Sequence, residues 1–275
     1  MKNPYPDKKQ QRMAMLIDGD NAQPSLIIKL MAEAGRYGAT TIRRIYGDWT
    51  TPQMNGWKEC LNNHAIQPIQ QFRYTVGKNA TDSALIIDAM DLLHSELVDG
   101  FCIVSSDSDY TRLATRIREA GIFVMGIGQR KTPKPFVNAC NVFIYTENLV
   151  DTIDDGKVAV ADKTQESESD NSNGQEQQKL NPLPILKEAF SMAAGEDGWA
   201  HLGAMGNSLR QLDPAFDSRT FGYSQLIQLI KAHKESFTIR KEGDKGSTAV
   251  YVKRISRRRK KQPEKEKLEK KATKE

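Results

Sequence analysis

Histidine and cysteine are scarce in this chain, with four and three residues among 275. Cys60, Cys102 and Cys140 are far apart, odd in number and set among apolar neighbours. They form no C-x-x-C pair, which excludes a disulfide framework and points to buried reduced thiols. His64, His94, His201 and His233 show no H-x-x-x-H type spacing, so zinc has no donor set to draw on. Long apolar runs are missing too. No stretch approaches the roughly 20 residues a membrane helix needs, so no membrane is expected as partner. The opening MKNPYPDKKQQRM lacks the apolar centre of a signal peptide. A cytoplasmic location is the expectation. Large apolar side chains are also sparing: the hydrophobic fraction of 38% is low for a wholly packed chain. Part of the length must be solvated.

Charge is abundant but unevenly placed. The net charge is +5. Ser256–Glu275 carries ten Lys/Arg against four Glu, whereas Asp151–Leu180 carries eight Asp/Glu against three Lys. The rest keeps a mild cationic bias, compatible with a polyanionic partner.

From residue 13 to 150, short apolar runs alternate with helical patterns. MAMLI (13–17), TIRRIYG (41–47), AIQPIQ (65–70), FCIVSS (101–106), IFVMGIG (122–128) and VFIY (142–145) read as strands. Helices are expected at about 24–37, around 57–63, through DSALIIDAMDLLHSEL, and near 110–120. This alternation predicts an α/β fold, a doubly wound parallel sheet. Residues 1–12 read as a polar arm and 151–180 as an acidic disordered linker. Residues 181–255 read as a small α+β unit, with helices at 183–194, 201–212 and 223–235 before a two-stranded wing. Residues 256–275 read as a basic disordered tail. Trp199, Phe216, Phe221 and Tyr223 are expected in the core of the small unit.

Acids collect where a parallel sheet binds its ligands, beyond the carboxyl ends of the strands. Asp18 and Asp20 follow the first strand, Asp82 opens the long helix, and Asp107 and Asp109 follow FCIVSS. Taken singly, each is an ordinary turn or cap residue. Together they pose an electrostatic problem, because two carboxylates about 6 Å apart repel by on the order of 3 kcal/mol at an effective dielectric near 20. Protons or a divalent cation must relieve it, and an all-oxygen set suits Mg²⁺ or Mn²⁺. Such ions promote phosphodiester hydrolysis. Asn21 either caps the first helix or holds Asp18 or a phosphate. Asp88, six residues after Asp82, is a supporting candidate facing a basic or hydroxyl partner.

MLIDGDNA, KNATDSALIIDAMDLL, FCIVSSDSDYTRLATRIREAGIFVMGIG and FVNACNVFIYTENL, in this order and spacing, resemble the NYN domain family of PIN-like nucleases. That resemblance implies an RNA-cleaving metal site with Asp18, Asp82, Asp107 and Asp109 as its acids. Asn21 and Ser106 fall on its supporting polar positions, with Asp20 beside them. No acid of the pattern is missing. Lys78, Arg130, Lys131 and Lys134 are placed to guide an RNA backbone along the rim, or are simply solvated.

The second unit resembles the LOTUS, or OST-HTH, winged-helix domains. The resemblance rests on GWAHLGAMGNSLRQLDPAFDSRTFGYSQLIQLIKAH, FTIRKEG and VYVKRI. It implies binding of RNA, single-stranded or structured, with G-rich RNA among the substrates such domains favour. A protein partner is the alternative. Lys231, Lys234, Arg240, Lys241 and Lys245 are its candidate phosphate contacts, or a solvated face.

The leading expectation is therefore a Mg²⁺- or Mn²⁺-dependent endoribonuclease leaving a 3′-hydroxyl and a 5′-phosphate. In it Asp18, Asp82 and Asp107 ligate the ion, and Asp109 is a ligand or accepts from the attacking water. A non-catalytic RNA-binding adaptor is the second reading. A haloacid-dehalogenase-type phosphatase, suggested by Asp18–Gly19–Asp20, is the weakest, because those enzymes usually have Thr or Val two residues after the second Asp, whereas Asn21, Ala22 and Gln23 follow Asp20 here.

Overall fold

A computed structural model describes residues 11–72, 80–150, 181–242 and 249–255. The expected arm, linker and tail, residue 11 onward of the arm aside, lie outside these residues, as do Lys78 and Lys245.

Strand β1 (Arg12–Asp18) is buried from Met13 to Asp18, with side chains covered on both faces. That is the signature of a central parallel strand. A 3₁₀ turn at Pro24–Leu26 leads into α1 (Ile27–Gly35), followed by β2 (Ala39–Gly47), α2 (Asn55–Asn63) and β3 (Gln67–Gln70). Helix α3 (Ala80–His94) crosses to β4 (Gly100–Val104). Then come α4 (Thr111–Glu119), β5 (Phe123–Gly128), α5 (Lys134–Ala139), β6 (Val142–Tyr145) and α6 (Glu147–Val150). The six strands pair in parallel in the order β3-β2-β1-β4-β5-β6. The expected doubly wound sheet is thus observed, with its reversal of strand order between β1 and β4. Pro68, which has no N–H to give a ladder, sits in the edge strand β3. Helix α5 was not foreseen. Its Pro133 and Pro135 suggest a loop, yet prolines are well tolerated in a first helical turn.

Each face of the sheet has its own core. Ala14 and Leu16 of β1 join Phe101 and Ile103 of β4 beneath α3 and α4, with Leu85, Ala89, Leu113 and Ile117. Met13, Met15 and Ile17 join Cys102 and Val104 beneath α1 and α2, with Leu30 and Trp57. Cys102 and Cys140 are buried free thiols, and burial pushes the Cys140 thiol up to about 12.

The second unit contains α7 (Leu183–Ala193), β7 (Ala200–His201), α8 (Leu202–Leu212), α9 (Leu226–Ala232), β8 (Phe237–Glu242) and β9 (Ala249–Arg254). Its antiparallel sheet runs β7-β9-β8. The third strand, β7, adds to the expected two-stranded wing, and at two residues it is too short to show alternation. The expected helix at 223–235 begins only at Leu226, because a 3₁₀ turn at Ser218–Phe221 closes on Gly222 at φ 83°. Phe216, Phe221 and Tyr223 pack on the core of this unit, as expected. Trp199 does not. It is half-buried outside that core, with Arg240 and Lys253 over its ring.

The two units meet along the β6 edge of the large sheet. The Phe143 N–H donates to the Pro214 carbonyl at 2.8 Å, covering a strand edge that would otherwise be open. Asn148 Nδ2 donates to Thr220 Oγ1 at 3.0 Å. Arg219 donates to Glu33 Oε1 at 2.5 Å and to Asp217 Oδ2 at 2.6 Å. The Arg219 and Glu33 side chains are only 15% and 6% exposed. Among the described residues no helix is long and apolar enough to cross a membrane.

Candidate metal centre

Side-chain alternation aims the acids. In β1 the even positions Ala14 and Leu16 face α3 and α4, so Asp18, next in that register, faces the same way. In β4 the odd positions Phe101 and Ile103 do so, and Ser105 and Asp107 continue that parity beyond the strand end. Asp82 lies in the first turn of α3. Asp109 lies in the 3₁₀ turn Ser108–Tyr110 that leads into α4. Gly19 permits the sharp exit from β1, since an added Cβ would meet the Tyr46 carbonyl oxygen at 2.8 Å.

One carboxylate oxygen from each of Asp82, Asp107 and Asp109 can be chosen so that all three lie within 4.8 Å of one another. Asp107 and Asp82 are half-buried and Asp109 is exposed, so the triad opens to solvent. Asp107 Oδ1 accepts the Asp109 N–H at 3.0 Å, which fixes the loop that carries both. Tyr110 donates its hydroxyl to Asp82 Oδ1 at 2.6 Å. Burial raises the Asp82 carboxyl above its usual range, opposed by the Tyr110 hydrogen bond and reinforced by Asp107, Asp109 and Asp20. Burial, with the charges of Asp18 and Asp82 behind it, pushes the Tyr110 phenol far up. It therefore stays a proton donor to Asp82.

Asp18 lies beside this triad and is not one of its three members. It is 1% exposed. Its Oδ2 accepts from Asn21 Nδ2 at 2.7 Å and Ser105 Oγ at 2.8 Å, and its Oδ1 accepts from the Asp20 N–H at 3.1 Å. Burial raises its carboxyl despite those donors, and the charge of Asp82 adds to the rise. Ser105 Oγ in turn accepts the Asp107 N–H at 3.0 Å. A continuous chain of hydrogen bonds thus runs from Asn21 through Asp18 and Ser105 to the backbone that carries Asp107.

The other sequence candidates fall around this arrangement. Asn21 holds Asp18, one of the two roles open to it. Ser106 accepts the Gln129 N–H at 2.9 Å and ties the β4 exit to the β5 exit. Asp20 is exposed. Asp88 points elsewhere, to Arg44 Nη1 and the Tyr46 hydroxyl on β2, each at 2.9 Å. Arg130, Lys131 and Lys134 are exposed beyond the end of β5, on the same side of the sheet as the acids. Lys231 and Lys234 are exposed at the end of α9, and Arg240 and Lys241 lie on β8.

Sequence reasoning missed Ser105 and Tyr110. Ser105 was signalled by the parity of FCIVSS, which puts it, not Ser106, on the face of Phe101 and Ile103. Tyr110 had no local signal, because its partner is 28 residues away.

The donor set fits a hard cation. The three grouped side chains are all carboxylates that approach closely, with no nitrogen or sulfur ligand among them. Such a set has Mg²⁺ or Mn²⁺ chemistry.

Residues 12–150 match the NYN domain and residues 178–248 the OST-HTH/LOTUS domain. No curated protein matches the chain. Among solved structures, a protein of unknown function from Vibrio parahaemolyticus is 17% identical, covers 50% of this chain and 94% of its own, and has a TM-score of 0.43. An uncharacterized protein from Nitrosomonas europaea is 31% identical over 35% of this chain and 93% of its own, at a TM-score of 0.26. Acinetobacter baumannii MurG is 13% identical over 74% of this chain and 64% of its own, at 0.32. These structural likenesses are too weak to bear on function. The NYN match spans half the chain and covers the whole parallel sheet with the acids at its rim. The chain belongs to the NYN domain family of PIN-like nucleases, and carries an OST-HTH/LOTUS domain behind its sheet.

Proposed function

We propose that the protein is a metal-dependent endoribonuclease that cuts RNA at the carboxyl ends of β1 and β4, with the OST-HTH/LOTUS domain binding the same substrate. The observation that carries this reading is the meeting of Asp82, Asp107 and Asp109 from two separate connections of the sheet. On this reading residues 13–150 cut, residues 181–255 bind, and the cytoplasm is where both act.

Asp82, Asp107 and Asp109 would hold Mg²⁺ or Mn²⁺. A bound divalent ion offsets the phosphodiester charge and makes water a better nucleophile. Tyr110 keeps one Asp82 oxygen occupied and leaves the other for the ion. Asp109, the most exposed of the three, is positioned to accept a proton from the attacking water. Asp18 is the buried brace: through Ser105 it fixes the Asp107 backbone, and through Asn21 it fixes the turn after β1. This shifts Asp18 from a direct ligand to a positioning role. No side-chain nucleophile is needed: water adds to the phosphorus, the P–O3′ bond breaks, and the departing 3′-oxygen takes up a proton, leaving a 3′-hydroxyl and a 5′-phosphate.

The test is cleavage of end-labelled single-stranded, structured and G-rich RNAs with Mn²⁺ or with chelator. Wild-type protein should cleave only with the ion, and Asp107→Asn should lose activity by on the order of a thousandfold while keeping its fold. Binding of all three RNAs without cleavage would leave the non-catalytic adaptor reading in its place.

A further inference from the structure

The outer face of the small sheet shows a surface that the acidic rim does not use. Alternation in β8 and β9 turns Phe237, Ile239 and Val252 inward to the core, with Ala200 of β7. It turns Arg240, Tyr251 and Lys253 outward, with His201 paired to Tyr251. Trp199, two residues before His201, joins that outer face. The Arg240 guanidinium lies 4.4 Å from the Trp199 ring centroid and 5.6 Å from that of Tyr251. Lys253 Nζ lies 5.4 Å from the Trp199 ring. His201 meets Tyr251 edge-on at 5.5 Å. Glu242 takes one side of Arg240 at 2.8 Å, yet that pair is itself 42% and 50% exposed.

We propose that this face is the binding surface of the OST-HTH/LOTUS domain for single-stranded RNA, with bases stacked on Trp199, Tyr251 and the Arg240 plane, and phosphates met by Arg240 and Lys253. The inference deepens the RNA-binding role given to this domain above. Three aromatic rings, those of Trp199, Tyr251 and His201, and two basic side chains, Arg240 and Lys253, interleave on a sheet face that has no aliphatic side chain larger than threonine among its central positions, Thr238, Arg240, Tyr251 and Lys253. An apolar protein partner would find little to bury there. Nucleic acid finds both of its chemistries matched, planar faces and negative charge. A single strand exposes its base faces, whereas a duplex hides them in the stack and offers mainly backbone and groove edges. The face therefore selects unpaired strands.

The test uses full-length protein carrying Asp107→Asn, in chelator, so that binding is read without turnover and stands or falls apart from the nuclease reading. Fluorescence anisotropy is measured with a labelled single-stranded RNA and with the same sequence as a duplex. Trp199→Ala and Arg240→Ala should each raise Kd for the single strand by on the order of tenfold. Arg240→Ala should also flatten the slope of log K against log salt by about 0.7. Trp199→Phe should keep most of the affinity, which separates loss of stacking from loss of fold. Lys187→Ala, an equal loss of charge on α7, should leave Kd within about twofold. Unchanged affinity in Trp199→Ala and Arg240→Ala, equal losses for Lys187→Ala, or equal binding of the duplex would each overturn the proposal.

Discussion

The rim beyond β4 and the outer face of β8 and β9 are both polar surfaces, built on opposite electrostatic principles. At the rim, Asp82, Asp107 and Asp109 bring like charges together, and the Asp82 carboxyl is raised by burial first and by its charged neighbours after it. At the sheet face, Arg240 and Lys253 lie over aromatic rings that welcome their charge. The first arrangement is one that positive charge eases. The second is already comfortable, and spends its surplus charge outward. On the proposed reading a polyanion meets the acids with a cation between them, and settles on the sheet face directly. Chemistry belongs, on that reading, to one region and holding to the other.

The largest effect should come from removing the crowding. Asp107→Asn is expected to cost cleavage about a thousandfold and RNA affinity less than about threefold, measured by single-turnover kinetics and anisotropy. A parallel loss of binding would merge the two regions into one. Next in size is their connection. Glu33→Ala or Arg219→Ala breaks a buried ion pair between the units and should cost about 3 kcal/mol in urea unfolding, the low end for such pairs because Asp217 or Arg36 remains as partner. A loss below about 1 kcal/mol would show that the units meet only loosely. Burial of Arg219 opposes its charge, but its hydrogen bonds with Asp217 and Glu33 prevail and hold its pKa above the ordinary value.

A smaller effect follows from Asp18 and Asp82, whose carboxyls are both raised, chiefly by burial. A raised carboxyl contributes stability that is full below the unfolded pKa of about 3.9 and is lost as pH climbs through the folded value. Without ion, Asp82→Asn should therefore stabilise the protein at pH 7 and do so less at pH 5, where the native carboxyl is closer to protonated. Chemical denaturation in chelator at the two pH values checks the sign. The smallest effect belongs to the bracing. Tyr110→Phe removes one hydrogen bond to Asp82 and should lower cleavage by about tenfold without abolishing it. The measurement is cleavage rate across a Mn²⁺ titration, where more ion should recover part of the loss.

Much of the large sheet was legible because its strands announce themselves as short apolar runs between helical patterns. β1 and β4 are buried on both faces, and their ends point at the acids. The rim was legible as a set of acids but not in its division of labour. Asp18 looks like Asp107 in a string of letters. Only the structure shows its partners in space, Asn21, Ser105 and the Asp20 N–H, on which its proposed positioning role rests. The outer sheet face was less legible still. Trp199 reads as a core residue, since a lone tryptophan beside Gly198 and Ala200 usually is one. Its true position depends on β7, a two-residue strand whose register is set by pairing with Tyr251 and Val252, about fifty residues away. The contact between the units was invisible for the same reason. Glu33 and Arg219 are separated by 186 residues, and neither has a local pattern that marks it.

The most direct measurement is a calorimetric titration of the RNA-free protein with Mn²⁺, comparing wild type with Asp107→Asn, alongside thermal melts of both. Wild type is expected to bind the ion and to gain about 2.7 kcal/mol of stability at a hundredfold excess over Kd, while the variant binds weakly and barely shifts. Equal binding and equal stabilisation in the two proteins, or none in wild type, would contradict the account.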